Sequence, residues 1–248
     1  MRKLNTVFVA LACLLVTVYS GFTQADDLAD RVNAALASPQ RPAGERDRDA
    51  ARKPVQVLQF LGVKAGMTVV DMLAAGGWYD EVLSAAVGPQ GKVYSQNPER
   101  FKQRVGQAQQ ARADRLGNVE LLYTKDQTDF GLDGTVDVAI TALNTHDAYN
   151  FRGEQGGLDF FKGAYKALKP GGVLGVIDHI GIAGQDNKTF HRIEPSIVRK
   201  LITDTGFVIE AESNVLHNPN DDHTLPIRDP SLHRNTDRML IKAVKPKS

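Results

Sequence analysis

Met67–Val87, MTVVDMLAAGGWYDEVLSAAV, decides how this chain is read. Met67–Leu73 is an apolar, β-branched run of strand length, and Trp78–Val87 carries apolar residues at helical spacing: Trp78, Val82, Leu83 and Ala86. Between them stand Ala74, Ala75, Gly76 and Gly77. Glycine lets the backbone turn sharply and lets a ligand approach the main chain, while a helix start offers unpaired N–H groups and a positive dipole end. The stretch therefore reads as strand, tight turn and helix. Either the turn forms a nucleotide-type pocket or it is a tight connection with no ligand, since a glycine pair is a weak signal.

Working outward, the same alternation recurs. On the N-terminal side, Asp26–Ala37 has the pattern of a short helix, Ser38–Gly44 (SPQRPAG) that of a loop, and Pro54–Leu61 (PVQVLQFL) that of a helix packed on a sheet. Glu45–Arg52 (ERDRDAAR) is densely charged. It reads either as a solvated helix face or as a lid whose arginines reach a carboxylate or phosphate.

On the C-terminal side, strands are expected at Lys92–Asn97, Asn118–Thr124, Thr135–Leu143, Val173–His179, Phe207–Ser213 and Arg238–Val244. Pro98 stops the first of these. Helices are expected over Glu99–Leu116, exposed and polar, over Gly156–Leu168 and over His191–Thr205, with Lys169–Gly172 (KPGG) as a turn. Strands alternating with helices predict an α/β, doubly wound, Rossmann-like sheet of seven mostly parallel strands, with an antiparallel last strand returning at one edge.

The length of 248 residues suits one α/β core. Arg2 and Lys3, an apolar run Leu4–Val18 and the small residues before Ala25 have the order of a secretory signal, so residues 1–25 are expected to be cleaved and 26–248 to form the domain, with 26–66 as an N-terminal helical cap. The apolar run is short for a spanning helix, so no stable membrane anchor is expected and the mature chain is placed in the periplasm. Cys13, the only cysteine, lies within the signal, which leaves no disulfide for the mature chain. Cleavage moves the formal net charge from +1 to −1 and no basic tract remains, which argues against a nucleic-acid partner.

The strings RDRDAARKPVQVLQFLGVKAGMTVVD, GGWYDEVL, GKVYSQNP, NTHDAY, LKPGGVLGVIDH, IDHI, HRIEP and TDRMLIK span nearly all of 46–246. Together they resemble class I S-adenosylmethionine-dependent methyltransferases, and within them a subgroup of secreted bacterial predicted methyltransferases. That resemblance implies S-adenosylmethionine as cofactor and a small-molecule substrate. It implies cofactor contacts from Asp71, Gly76, Gly77 and Trp78, from Asn97 at the end of the second strand, and from Asp126 after the third. Gln96 and Asn97 stand where the family has a carboxylate for the ribose hydroxyls, and an amide oxygen accepts a weaker bond. Ala74 and Ala75 stand where glycine is common. Because alanine takes a positive φ at a cost, a differently shaped loop is expected.

Ligands of an open parallel sheet sit beyond the carboxyl ends of its strands. Two His/Asp pairs, His146/Asp147 after the fourth strand and Asp178/His179 after the fifth, are expected to converge there, as catalytic residues with His146 or His179 the general base. Tyr79, Tyr149, His191 and Arg192 are further candidates for the rim. His217, His223 and His233, with Asp221 and Asp222, follow no recognised ligand spacing, and no metal site is expected. A non-catalytic binding module on the same fold and a His/Asp hydrolase remain the alternatives.

Overall fold

A computed structural model describes residues 24–247, with side chains from Leu28 onward. The expected leader, apart from Gln24 and Ala25, lies outside the described residues. The strands are β1 (Thr68–Met72), β2 (Lys92–Pro98), β3 (Val119–Thr124), β4 (Val136–Ala142), β5 (Leu168–His179), β6 (Val208–Ser213) and β7 (Arg238–Val244). The helices are α1 (Gln24–Ala37), α2 (Asp49–Arg52), α3 (Pro54–Leu61), α4 (Trp78–Val87), α5 (Lys102–Leu116), α6 (Thr145–Ala167), α7 (Asn187–Phe190) and α8 (Pro195–Asp204). No helix among the described residues is long and apolar enough to cross a membrane.

All seven strands form one sheet in the order β3-β2-β1-β4-β5-β7-β6. The β1–β5 neighbours are parallel, and β7 runs antiparallel to both β5 and β6. The last two strands thus make the expected antiparallel return at one edge of the sheet, with β7 inserted between β5 and β6 and β6 outermost. A loop joining β6 to β7 lets β7 reverse and pair along its whole length with β5.

Side-chain alternation assigns the two faces. Val69, Val138, Ile177 and Leu240 pack with α1, α3 and α4, while their chain neighbours Val70, Ala139, Val176 and Ile241 pack with α6 and α8. Both faces are covered, so the central strands carry apolar residues on both sides, with buried polar groups such as Asp71 and Thr141 confined towards their carboxyl ends. Phe161 on α6 is fully buried in the second cluster, and its truncation to alanine costs about 3–5 kcal/mol by the usual core penalty.

Several local expectations change. The Lys169–Gly172 turn is absorbed into β5, where a register shift between Val136 and Val138 of β4 accommodates it. Helix α6 starts at Thr145, eleven residues before the expected position, and is broken only at Gly153, whose φ is +68°. Helix α8 starts at Pro195 rather than His191, because His191 takes a left-handed φ of +55° that ends α7. Helix α5 is not simply exposed: Gln109, Arg112 and Ala113 are buried, because polar partners await them beneath it.

Candidate functional site

The order β3-β2-β1-β4 reverses direction between β1 and β4, so a crevice opens at the carboxyl ends of those strands. The connection after β1 forms its wall. Leu73 (φ +54°) and Ala75 (φ +50°) both adopt left-handed backbone, so Ala75 takes the conformation that was expected to be avoided. A left-handed non-glycine residue costs roughly 1–2 kcal/mol. The end of β2 holds both in place: Gln96 Oε1 accepts the Leu73 N–H at 3.1 Å, and Asn97 Oδ1 accepts the Ala75 N–H at 2.9 Å.

The two glycines differ in role. A Cβ on Gly76 would meet nothing within 4 Å, so open space lies against its main chain. A Cβ on Gly77, which has φ +79°, would strike Asp80 Oδ2 and the Arg112 side chain. Gly76 thus faces the groove, whereas Gly77 permits close packing at the start of α4.

The groove has a volume of about 220 Å³ and is walled by Asp71, the Leu73–Gly76 connection, Trp78, Tyr79, Asn144 and three residues of the N-terminal cap, Glu45, Arg48 and Arg52. Asp71 is buried; loss of hydration, reinforced by the neighbouring Asp80, pushes its pKa well above the usual carboxylate range. Burial also pushes Asp80 up to about 6, although Ser95 Oγ donates to it at 2.6 Å. The adjoining carboxyls are thus kept from ionising together.

The charged segment Glu45–Arg52 folds as a 3₁₀ turn (Ala43–Arg48) followed by α2, and it covers the groove. Buried ion pairs anchor it. Arg112 bridges Glu45 of the cap and Glu81 of α4, the latter at 2.5 Å, and Arg115 adds bonds of 2.6 and 2.8 Å to Glu81. Asp49 accepts from Arg41 at 2.7 and 2.8 Å and from Trp78 Nε1 at 3.0 Å. Of the arginines of this segment, Arg48 and Arg52 line the groove, whereas Arg46 donates to the Ser38 carbonyl at the surface.

The His/Asp residues do converge beside β4 and β5, but in a different pairing. Asp178, fully buried, accepts from the His146 backbone N–H at 2.8 Å and lies 2.6 Å from His146 Nδ1. His146 Nε2 lies 3.2 Å from Asp147, which also contacts His191 Nδ1 at 3.0 Å. Burial opposes the imidazolium of His146, yet the charge of Asp178 and the bonds to Asp147 and Asp178 outweigh it and push the pKa up to about 10. At neutral pH His146 is a cation clamped between two carboxylates.

His179 is the opposite case. Loss of hydration, together with the positive charge of Arg238 and His146, holds its pKa well below the ordinary histidine value. It is therefore neutral, and its Nδ1 lies 2.6 Å from Thr236 Oγ1. The rings of His191, His146 and His179 stand 5.7 and 5.5 Å apart in sequence.

One donor atom from each of His146, Asp147 and His191 lies within 4.8 Å of the others, a spacing that could hold a metal ion. Proton-mediated bonds from both rings to Asp147 account for the same arrangement. Two other histidines serve loop closure. His217 and His223 contact the two oxygens of Asp237 at 3.0 and 2.8 Å, while Arg192, fully buried, makes paired bonds of 2.8 and 3.0 Å to Asp221.

The remaining expected cofactor residues stand apart from the groove. Asn97 is fully buried and holds Ala75, and Asp126, exposed, accepts from the N–H and hydroxyl of Thr128 in a local turn. Residues that sequence reasoning did not single out are Glu45, Asp80, Arg112 and Arg238. A signal for Asp80 existed in its position in the first turn of the helix after the glycines, but nothing local marks Arg112 or Arg238. A larger depression of about 680 Å³ lies at the amino ends of β2 and β3, lined by Lys92 and Glu120 among others, away from the acid–base groups.

No protein-family profile and no curated protein sequence matches the chain. Solved structures do share its architecture. A SAM-dependent methyltransferase from Aquifex aeolicus superposes with a TM-score of 0.61 at 21% identity, over 88% of this chain and 98% of that one. The [4+2]-cyclase SpnF superposes with a TM-score of 0.60 at 17% identity, over 91% and 95% of the two chains. Fibrillarin from Aeropyrum pernix, with natively bound S-adenosyl-L-methionine, superposes with a TM-score of 0.55 at 18% identity, over 85% and 86%. The fold is that of the S-adenosylmethionine-dependent methyltransferases, a seven-stranded Rossmann-like sheet.

Proposed function

We propose that this protein is an S-adenosylmethionine-dependent methyltransferase acting on a small molecule, exported to the periplasm through residues 1–25. The observation that carries the reading is the open space against Gly76, in a groove at the reversal of strand order with Asp71 on its wall. The residues present fit the methionine end of the cofactor: Asp71, Gly76 and the adjoining main chain would hold it, with Trp78 and Arg52 covering it. Bound S-adenosylmethionine supplies an electrophilic methyl group. The ribose contact is arranged differently here, because Asn97 is buried and its Oδ1 is engaged with Ala75, so Asn97 would reach a ribose hydroxyl only with that tie opened.

Of the two histidine bases expected, His179 is the one that is uncharged at neutral pH, and it would take a proton from the acceptor as a weak base, since burial and the charge of Arg238 oppose its protonation. His146, already protonated, acts as a fixed positive charge that orders Asp147 and Asp178. The alternative reading, a binding module that keeps the fold without catalysis, is favoured by one observation: the Gln96 and Asn97 side chains bond the protein's own loop.

Calorimetric titration with S-adenosylmethionine and S-adenosylhomocysteine tests the reading. Saturable binding is expected. Gly76→Val, whose Cβ would meet nothing within 4 Å, is expected to leave the circular dichroism spectrum unchanged and abolish the binding. No heat with either ligand refutes the methyltransferase. Export is tested by fractionation and N-terminal sequencing of the mature protein, expected to start at Asp26.

A further inference from the structure

Beside the groove lies a second cavity of about 310 Å³, at the same carboxyl edge of the sheet. Five arginines line it: Arg48 and Arg52 from the cap, Arg228 and Arg234 from the β6–β7 loop, and Arg238 at the start of β7. No aspartate or glutamate lines it. Arg48, Arg52 and Leu143 border both spaces, so the cavity and the groove are neighbours sharing a wall.

Among the described residues, none of these five guanidiniums forms an ion pair. Arg238 is 5% exposed, and its guanidinium donates only to neutral oxygens: Thr236 Oγ1 at 3.1 Å, the Ala51 carbonyl at 3.1 Å and the Arg234 carbonyl at 2.6 Å. Arg52 stacks 4.4 Å above the Trp78 ring and has no ion pair or hydrogen bond among the described residues. Arg48 Nε is buried without a partner. Burial and the charge of Arg52 together hold Arg238 down to about 10, a sign that like charges are confined together.

The acids nearest these arginines are engaged elsewhere. Asp178 serves His146, Asp221 serves Arg192, Glu45 serves Arg112, and Asp71 is held toward its protonated form. The contrast with Arg192 is instructive, because that guanidinium, equally buried, receives a bidentate carboxylate. Buried charge without a counterion is costly, and an anion entering the chamber would remove that cost for several guanidiniums at once. The volume is in the range for a small molecule, and the arginine fork suits carboxylate or phosphate.

We propose that this chamber binds the carboxylate or phosphate group of the methyl acceptor, so that the protein acts on small anionic molecules. The assignment to the acceptor rests on the methyltransferase reading; the chamber's affinity for anions does not. The carboxylate of S-adenosylmethionine is the other source of the same chemistry, and the experiment separates the two.

The probes are inorganic pyrophosphate and malonate, titrated calorimetrically at constant ionic strength into the wild type, Arg228→Gln/Arg234→Gln and Arg238→Gln. One-to-one saturable binding by the wild type is expected. The exposed double variant, which leaves the buried packing intact, should weaken it about tenfold or more, the effect of losing a charge-assisted hydrogen bond. Arg238→Gln should weaken it at least as much. Repeating the titration in saturating S-adenosylmethionine should leave probe affinity in place, which supports the acceptor site. Competition between the two would overturn the acceptor assignment in favour of the cofactor's carboxylate. Absence of binding to both probes, or unchanged affinity in the well-folded double variant, overturns the chamber itself. Probe binding without any S-adenosylmethionine binding removes the methyltransferase reading and with it the acceptor assignment, and leaves an anion site.

Discussion

Asn97 Oδ1 accepts the Ala75 N–H at 2.9 Å, so the carboxyl end of β2 holds the strained connection after β1 in its left-handed conformation. A sterically disfavoured backbone persists only where its surroundings over-determine it. Here the amide of Gln96 repeats the same device at Leu73. Asn97→Ala leaves the Ala75 N–H without its acceptor and is expected to cost about 1–3 kcal/mol. Ala75→Gly relieves roughly 1–2 kcal/mol of left-handed strain, partly offset by added freedom in the unfolded chain, and is expected to stabilise. Urea unfolding of both variants provides the check; a destabilised Ala75→Gly would show that the connection carries no strain.

Arg112 joins Glu45 of the cap to Glu81 of α4 within the protein interior. Arg112→Met leaves two buried carboxylates short of their shared partner and should cost about 3–5 kcal/mol. The loss should fall on the cap first. Limited proteolysis is expected to cut faster within 38–53 in the variant, and equal cutting rates would rule out an anchoring role.

His146 gives a pH dependence of defined sign. Its folded-state pKa, pushed up to about 10, lies above the ordinary 6.5, so the stabilisation is complete below 6.5 and is lost as pH rises towards 10. Unfolding free energies measured across that interval should fall for the wild type. His146→Gln should remove most of the slope, and a slope of equal steepness in that variant would place the titration elsewhere.

Asp71 is also shifted upward, by burial and then by Asp80. Its contribution is therefore present below the usual carboxylate pKa near 3.8 and declines as pH rises through the folded value. Asp71→Asn, neutral at every pH, is expected to raise Tm by a few degrees at neutral pH and by little near pH 3.8. A variant that melts lower than the wild type at neutral pH would contradict this.

Local pattern carried most of the architecture. The apolar run of β1, the glycines after it and the helical spacing of α4 are properties of adjacent residues, and the structure realises each within a residue or two. The same holds for β2, β3, β4 and β7, because alternation and turn residues act over short range. Where a boundary moved, a distant partner decided it. Helix α6 begins at Thr145 where Asp178 receives the His146 N–H, and the KPGG segment is carried in β5 as a bulge between the paired Leu168 and Val173, tied at Gly171 and Gly172 to the Lys245 backbone.

By itself, then, the sequence determined the alternation of strands and helices, the glycine turn and the set of histidines and aspartates at the carboxyl ends of the strands. Only the tertiary structure decided which of those groups bear charge. Asp178 was drawn from its neighbour His179 to His146, making one ring a cation and leaving the other neutral among arginines. Arg52, Arg228 and Arg238 are separated by up to 186 positions, yet they line one cavity. Spacing along a chain governs which residues share an element. Protonation and pairing depend on burial and on neighbours in space, which only folding brings together.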